Sequence, residues 1–219
     1  MAGYLKPEKL DCRNQDMEAT GIILAGGKNR RYGRPKSLEI FDGETLIERA
    51  VNKISKITGD IVVVTANEET NLPQMPSVRI VKDEYFEMGP LGGIFTGLKA
   101  AKFELGLVVA TDMPFLSVPL SIHLLESAVG YDIVVPRHGD ESLELLHAVY
   151  RKTTLSSIKN TLDNNRLRIR IILSELKVKY VDEAECRRYD PELRSFFNIN
   201  YPSDLEKALK MEQDEVEND

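Results

Sequence analysis

The sequence lacks the features that mark membrane, secreted or disulfide-stapled proteins. None of its apolar runs approaches the ~18 residues that a membrane-spanning helix needs. Residues 1–19 are polar and carry both signs of charge, so we expect no signal peptide and no membrane partner. The two cysteines, Cys12 and Cys186, have neither metal-ligand spacing nor a disulfide framework, which predicts free thiols in a cytoplasmic protein.

Two common nucleotide-binding motifs are also missing. A P-loop would place glycine at position 22 and Ser or Thr at position 29, but the chain has Ile22 and Asn29 there. The dinucleotide fingerprint G-x-G-x-x-G is absent from the same turn. No internal repeat divides the 219 residues, and no linker rich in Gly, Ser or Pro does so either, which predicts one folded domain.

Basic residues are concentrated in one place in an otherwise acidic chain. The net charge is −6, yet five bases fall within nine positions without an intervening acid: Lys28, Arg30, Arg31, Arg34 and Lys36. Nucleic-acid-binding proteins usually show a wider basic surface with several aromatic residues among the bases, whereas Tyr32 is the only aromatic residue here. We therefore expect a small anionic ligand and no nucleic acid.

The basic segment follows a short apolar strand and a pair of glycines. Residues 22–24 predict a buried strand, and Gly26 and Gly27 predict a turn after Ala25. Glycine has no Cβ and tolerates positive φ, so a phosphate group could approach these backbone amides closely. The pattern predicts a polyphosphate site, while an ordinary turn beside a solvated basic surface is the alternative from these residues alone.

The first half of the chain alternates buried strands with helices. Apolar spacing predicts helices over 44–57 and 90–101, and continuous apolar runs predict strands over 60–66, 78–81 and 105–110. This alternation predicts a single three-layer, Rossmann-like α/β domain with a mainly parallel, mixed sheet. Ligands of such sheets bind beyond the carboxyl ends of the strands. The polar or glycine residues at those ends are Gly26, Thr65, Asn67, Asp83 and Asp112.

The second half predicts a less regular arrangement. Helices are expected over 117–129, 154–162 and 203–211, a short helix within 167–176, and strands over 131–136, 145–150 and 178–181. Residues 1–18 are predicted to be a variable extension, 19–211 the folded domain, and 212–219 an acidic tail. This tail has five acids and no base, so it is expected to be disordered.

Residues 24–27, 31–33 and 35–36 together resemble the motif L-A-G-G-x-x-x-R-(M/F)-G-x-x-K. That motif belongs to the molybdenum cofactor guanylyltransferases, a group of MobA-like α/β nucleotidyltransferases. The middle segment has tyrosine where methionine is usual, and the last segment also suits the related cytidylyltransferases. The resemblance covers about residues 20–210 and implies the nucleotide-diphospho-sugar transferase type of fold.

The resemblance implies roles for individual residues on the nucleotide side. Asp112 matches the family's Mg²⁺ ligand, and Lys36 and Arg31 match bases of its phosphate loop, so these three are the implied catalytic residues. Alternatively, Asp112 is a helix N-cap and the bases are solvated, as we expect for Lys28, Arg30 and Arg34. The family often has Asn where this chain has Thr65. The implied nucleotide-binding residues are Leu24, Ala25, Gly26, Gly27, Lys36, Thr65, Asn67, Asp83, Gly92 and Asp112.

The second substrate is implied to bind the C-terminal half. Asn198 and Asn200 resemble the family's N-x-N before a proline-started helix, although asparagine near proline is also a common turn former. Arg166 and Arg168 are predicted to meet the acceptor phosphate. His147 stands where the family frequently differs, and it is predicted to be a packed strand residue rather than a catalyst.

The implied reaction is guanylyl transfer, in which a phosphate of molybdopterin or molybdenum cofactor attacks the α-phosphate of MgGTP and pyrophosphate leaves. The implied partners are GTP, the pterin and transient carrier or acceptor proteins of the molybdenum cofactor. A cytidylyl- or sugar-phosphate nucleotidyltransferase of the same fold is one alternative. A non-catalytic nucleotide-binding regulatory protein is the alternative from another class, and the presence of both Lys36 and Asp112 disfavours it.

Overall fold

Continuous apolar runs form the strands of one mixed sheet. The computed structural model describes residues 18–26, 36–66, 72–73, 75, 77–85, 87–139, 141–166 and 168–216. Its strands are β1 (Ala19–Leu24), β2 (Ile40–Phe41), β3 (Glu44–Thr45), β4 (Asp60–Thr65), β5 (Val78–Lys82), β6 (Leu105–Ala110), β7 (Ile133–His138), β8 (Ser142–Leu143), β9 (His147–Arg151) and β10 (Val178–Val181). The main sheet has the order β10-β7-β9-β6-β1-β4-β5, with β8 paired to β7 and with β2 and β3 forming a separate hairpin.

The strand directions divide the sheet into two halves. β6, β1, β4 and β5 run parallel to one another, whereas β9 is antiparallel to both β6 and β7. β10 is parallel to β7. The carboxyl ends of β1, β4, β5, β6 and β7 therefore lie at one edge of the sheet, beside the start of β9. The predicted mainly parallel, mixed sheet is confirmed.

Helices cover both faces of this sheet. They are α1 (Leu46–Ile54), α2 (Pro90–Ala100), α3 (Val118–Glu126), α4 (Leu155–Asp163), α5 (Glu183–Cys186) and α6 (Pro202–Val216), with 3₁₀ helices at Lys36–Leu38, Lys152–Thr154, Ile169–Ser174 and Arg194–Phe196. Buried apolar residues of α1 and α3 pack on one face, and those of α2 and α4 pack on the other. The predicted three-layer α/β arrangement is confirmed.

The first helix is shorter than predicted. It begins at Leu46 because Thr45 caps it: the threonine hydroxyl accepts a hydrogen bond from the backbone N–H of Glu48 at 3.3 Å, and the Glu48 carboxylate accepts one from the backbone N–H of Thr45 at 2.9 Å. It ends at Ile54 rather than at position 57. Residues with helical apolar spacing continue beyond the helix, so a prediction from spacing alone gave a helix that is too long at both ends.

The last helix is longer than predicted, and the disorder expected from residue 212 is wrong up to Val216. The Glu212 carboxylate forms an ion pair with the buried Arg49 guanidinium. Arg49 Nε also donates to Pro114 O at 2.8 Å, which connects α1 and α6 to the chain that follows β6. Beside them lies a small apolar cluster of Phe41, Leu46, Phe115, Ile199 and Ala208.

One of the two cysteines, Cys186, lies within the described residues. Cys186 is a buried free thiol, and burial raises its pKa to about 12, which makes it a poor nucleophile. The free thiol predicted at this position is confirmed, while Cys12 lies outside the described residues. Within the described ranges, each helix is too short or too polar to cross a bilayer.

Candidate active site

A cavity of about 370 Å³ opens at the carboxyl ends of the parallel strands, and its volume is typical of small-ligand sites. Its described walls come from the ends of β1, β4 and β6 and the chain that follows them, from the chain after β5, and from the start of α2. The 3₁₀ helix at Lys36–Leu38 and the turn before β9 complete these walls. Seven residues to which the sequence resemblance gave nucleotide-binding roles lie in these walls: Leu24, Ala25, Gly26, Lys36, Thr65, Asp83 and Asp112. The structure brings them together, and their individual roles stay predictions.

Gly26 lies where the chain leaves β1 and passes close to the end of β4. A Cβ at position 26 would lie 3.0 Å from the backbone N of Ala66 and 3.1 Å from its Cβ, which is closer than ordinary contacts. The preceding residue, Ala25, donates its N–H to Val64 O at 2.9 Å. Close packing therefore favours glycine here, and the same lack of a side chain leaves the backbone accessible from the cavity.

Lys36 and Asp112 form an ion pair in the cavity wall. Lys36 Nζ lies 2.9 Å from Asp112 Oδ2, and their side chains are 19% and 25% exposed. Lys36 begins a 3₁₀ helix, while Asp112 follows β6, so the contact joins residues 76 positions apart. The pair places one cation and one carboxylate at the cavity. Their chemistry suits phosphate groups and a divalent cation, respectively.

The donor set at this site fits a metal ion that arrives with its substrate. Among the described residues, no group of three or more His, Cys, Asp or Glu side chains is arranged to hold a metal ion. A small hard cation commonly keeps several waters and binds one or two carboxylates plus substrate phosphates. The single Asp112 carboxylate, still partly exposed, meets that requirement.

Asp83 contributes a second carboxylate to the wall. Burial raises the pKa of this carboxyl group, although hydrogen bonds from Tyr85 N at 2.9 Å and from Thr96 Oγ1 at 3.1 Å act in the opposite direction. Gly92 packs behind this turn, because a Cβ there would lie 2.8 Å from both Tyr85 Cβ and Tyr85 O. Its neighbour Gly93 lines the cavity instead, and the predicted nucleotide-binding role of Gly92 stays a prediction.

The predicted acceptor residues are not among the described residues of the cavity wall. Segment 198–200, which holds the two predicted asparagines, is joined to the loop that follows β6, because Ile199 N donates to Asp112 O at 2.9 Å. Arg166 and Arg168 are exposed in the connection after α4 and are not among the described wall residues. The acceptor roles of these four residues stay predictions.

His147 occupies the interior of the second half of the sheet. It is fully buried, its Nε2 lies 2.9 Å from Ser121 Oγ, and burial lowers its pKa to about 3. The Ser121 hydroxyl donates to Ser117 O, so it accepts from His147 Nε2–H, which places the proton of the neutral ring on Nε2. The prediction of a packed strand residue at position 147 is confirmed.

Some wall residues were not assigned a role from the sequence. Gly89, Pro90 and Gly93 lie close in sequence to Gly92, and Thr111 precedes Asp112, so their proximity to residues with implied roles could have identified them. The others reach the cavity through tertiary packing: Ser37, Val64, Ala66, Glu87, Ala110 and Leu146. Three residues with predicted roles, Gly27, Arg31 and Asn67, lie outside the described residues.

Comparison with known proteins identifies the family. Residues 21–179 match the MobA-like NTP transferase domain. Over 195 residues the chain is 37% identical to a probable molybdenum cofactor guanylyltransferase of Pelotomaculum thermopropionicum, covering 89% of this chain and 94% of that protein. The chain belongs to the MobA-like NTP transferase family. It is therefore a nucleotidyltransferase, in a family whose members generally use a metal ion.

Other relatives agree with membership of the MobA-like family. A molybdenum cofactor guanylyltransferase of Desulfosudis oleivorans is 35% identical over 192 residues, covering 86% of this chain and 93% of that protein. The solved molybdopterin-guanine dinucleotide biosynthesis protein A of Archaeoglobus fulgidus has a TM-score of 0.77 at 30% identity, covering 89% and 99% of the two chains. A cytidylyltransferase of Thermus thermophilus, with a TM-score of 0.67 and 18% identity over 90% of this chain and all of that one, shares the fold.

Proposed function

We propose that this MobA-like nucleotidyltransferase transfers GMP from MgGTP to the phosphate of molybdopterin or molybdenum cofactor, releasing pyrophosphate. The observation that supports this most is the Lys36–Asp112 pair, held at 2.9 Å in the wall of a nucleotide-sized cavity. It occurs in a chain that matches named guanylyltransferases over most of its length. Guanylyl transfer needs both groups, whereas nucleotide binding alone does not require a metal ligand.

Transfer at phosphorus depends on in-line placement of the reactants and on neutralisation of charge. In the proposed reaction, the Gly26 backbone and the Lys36 ammonium bind the phosphates of GTP and stabilise the departing pyrophosphate. Asp112 would hold Mg²⁺, which when bound supplies further positive charge to the phosphates. The attacking phosphate comes from the second substrate, so no covalent enzyme intermediate is required.

The base and the acceptor are proposed to lie on opposite sides of Asp112. The guanine base would lie against the wall that contains Thr65 and Asp83, where the glycines at the start of α2 leave backbone groups accessible. The acceptor would approach from segment 198–200, which is bonded to Asp112 O, with Arg166 and Arg168 meeting its phosphate. Carrier proteins and a cytoplasmic location stay predictions.

Turnover with each nucleoside triphosphate tests this function. Purified protein is given molybdopterin, Mg²⁺ and one of GTP, CTP, ATP or UTP, and pyrophosphate release is measured. GTP is expected to be used best, because each hydrogen bond lost with a wrong base costs about 1–3 kcal/mol in a buried site. A parallel reaction with a sugar phosphate in place of molybdopterin tests the other acceptor class.

Each outcome of that assay has a distinct meaning. Preference for CTP would place the protein in the cytidylyl branch while leaving the acceptor unchanged. Transfer to the sugar phosphate alone would replace the proposed acceptor. Binding of GTP without pyrophosphate release, in the presence of molybdopterin and metal, would favour the regulatory protein and contradict the proposed reaction.

A further inference from the structure

All three histidines of the chain contact the segment between α5 and the predicted acceptor asparagines. His123 stacks on Tyr189 with ring centroids 4.2 Å apart and planes inclined by 15°. His138 stacks on Phe196 at 4.7 Å and 17°. His147 meets the edge of the same Phe196 ring at 6.2 Å. This stretch together with α5 is called the 183–197 segment, and aromatic contacts hold it at Tyr189 and at Phe196.

His138 is also linked to a wall of the cavity through a second partner, Glu144. Its Nε2 lies 2.7 Å from Glu144 Oε1, and the two side chains are only 26% and 19% exposed. The carbonyl of Glu144 accepts a hydrogen bond from His147 N at 3.1 Å. Leu146 lies within this turn and lines the cavity, with its carbonyl accepting from Ala110 N at 3.2 Å. His138 is thus one contact away from the turn that carries this wall residue.

His138 is also connected, through Phe196, to the predicted acceptor residue Asn198. Phe196, on which its ring stacks, accepts a hydrogen bond at its backbone carbonyl from Asn198 Nδ2 at 3.1 Å. The next residue, Ile199, donates its N–H to Asp112 O at 2.9 Å. An amide side chain has two N–H donors and a carbonyl acceptor, so one bond to Phe196 sets its plane while further groups face elsewhere.

We propose, on the basis of the nucleotidyl transfer proposed above, that His138 is a positioning residue for the second substrate. By stacking on Phe196 and bonding to Glu144, it fixes the Asn198 amide and the Leu146 wall relative to each other and to Asp112. It acts through these neighbours and does not touch the substrate. Small displacements of such supporting contacts reduce the binding or reaction of a substrate that the site must orient.

His123 is a matched control because it makes the same two kinds of contact. Its Nε2 lies 2.7 Å from Glu185 Oε1, and its ring stacks on Tyr189. Both contacts lie at the α5 end of the 183–197 segment, remote in sequence from Asn198. Loss of either ring should lower stability similarly, whereas only the loss of His138 should change how the second substrate binds.

The test compares His138→Ala with His123→Ala in steady-state kinetics and in calorimetric titration with GTP. His138→Ala is expected to raise KM for molybdopterin about tenfold, the scale of one misplaced hydrogen bond, with Kd for GTP within about twofold of wild type. His123→Ala should lower Tm comparably and leave both constants unchanged. His138→Gln keeps a hydrogen bond and His138→Phe keeps the ring stack, so each should rescue part of the loss.

An unchanged KM in His138→Ala, or an equal rise in His123→Ala, would overturn the positioning role. If His138→Ala does not fold, His138→Phe and Glu144→Gln are compared with Glu185→Gln in the same assays, with the same two outcomes. The Asn198 side-chain amide signal in NMR spectra gives a readout that does not need turnover. Wild type that transfers nothing would contradict the proposed function, whereas an Asn198 signal unmoved by His138→Ala would contradict the positioning role.

Discussion

The two halves of the sheet use their ionisable side chains in different ways. In the half formed by β6, β1, β4 and β5, the chain that follows the strands brings Asp83 and Asp112 into the cavity wall beside Lys36. In the half formed by β9, β7 and β10, His138 and His147, together with His123 on the neighbouring α3, contact other side chains and hold the 183–197 segment. Substitutions that remove a charge in the first half should therefore lower catalytic activity. Substitutions in the second half should first lower the free energy of unfolding.

The largest effect is expected from Asp112→Asn, which keeps the size of the side chain and removes the charge proposed to hold Mg²⁺. Turnover should fall at least ~100-fold, the scale of losing one strong electrostatic stabiliser. Stability should change by less than about 1 kcal/mol, because the Lys36–Asp112 pair is partly exposed. The measurements are pyrophosphate release at saturating Mg²⁺ and urea unfolding.

Asp163→Asn is the matched control for this change. Asp163 pairs with Lys159 at 2.6 Å on the exposed side of α4, so it is the same type of ion pair outside the described cavity wall. It should leave turnover unchanged. Wild-type turnover in Asp112→Asn would show that this carboxylate is not the metal ligand, and a large loss of stability there would remove the contrast between the two halves.

A smaller effect is expected from Lys36→Met, which keeps the stem of the side chain and removes its ammonium. Negative charge accumulates on the β and γ groups as pyrophosphate leaves, so Lys36 should matter more in the transition state than in the ground state. We expect about a 50-fold loss of transfer beside a loss of GTP affinity of about fivefold or less. Single-turnover assays and calorimetry separate these quantities, with Lys159→Met as the control. Equal losses in affinity and transfer would assign Lys36 to binding alone.

The smallest effect concerns pH and the second half of the sheet. Burial lowers the pKa of His147 from 6.5 to about 3, so the folded protein keeps this ring neutral where the unfolded chain binds a proton. Its contribution to stability is fully present above pH 6.5 and is lost as pH falls toward 3, by up to about 1.4 kcal/mol per pH unit. Between about pH 7 and about pH 5, this amounts to roughly 2 kcal/mol.

His147→Gln should remove that part of the pH dependence, because glutamine keeps a donor for Ser121 but does not titrate. The free energy of urea unfolding is compared at the two pH values in wild type, His147→Gln and Ser121→Ala. Ser121→Ala keeps the titrating ring, so it should lower stability at both pH values and leave the slope unchanged. A slope in His147→Gln equal to that of wild type would show that another group causes the acid sensitivity.

In the half formed by β6, β1, β4 and β5, called the nucleotide half, the strands and the residues at their ends could be predicted because their sequence pattern is local. Each strand is a short apolar run followed directly by a polar or glycine residue, and parallel strands bring such ends to one edge. That reasoning placed Gly26, Thr65, Asp83 and Asp112 at one crevice, and all four line the cavity. It did not predict the 2.9 Å contact of Lys36 with Asp112, which depends on how the chain returns after the glycine turn.

The structure of the half formed by β9, β7 and β10, and of the chain that follows it, depends on contacts between residues that are distant in sequence. The full length of α6 and the roles of His123 and His138 have no local pattern that predicts them. The β2–β3 hairpin, by contrast, turns through Asp42 and Gly43, both at positive φ, a dipeptide typical of such turns. The charges of residues 212–216, taken alone, predict a disordered acidic tail. In the folded chain, however, Glu212 forms an ion pair with Arg49. His147 was the exception, since its position in an apolar strand already indicated burial.

The contact between Arg49 and Glu212 spans 163 positions and has a consequence for the protein during its synthesis. All four strands of the nucleotide half come from residues 19–110, so they can pair while the ribosome is still translating the remainder. Arg49, by contrast, meets its partner on α6 only after that helix has emerged, and segment 198–200 becomes available at nearly the same time. We therefore expect a nascent chain to form its nucleotide cavity before its acceptor side, so that transfer begins only after α6 has been synthesised.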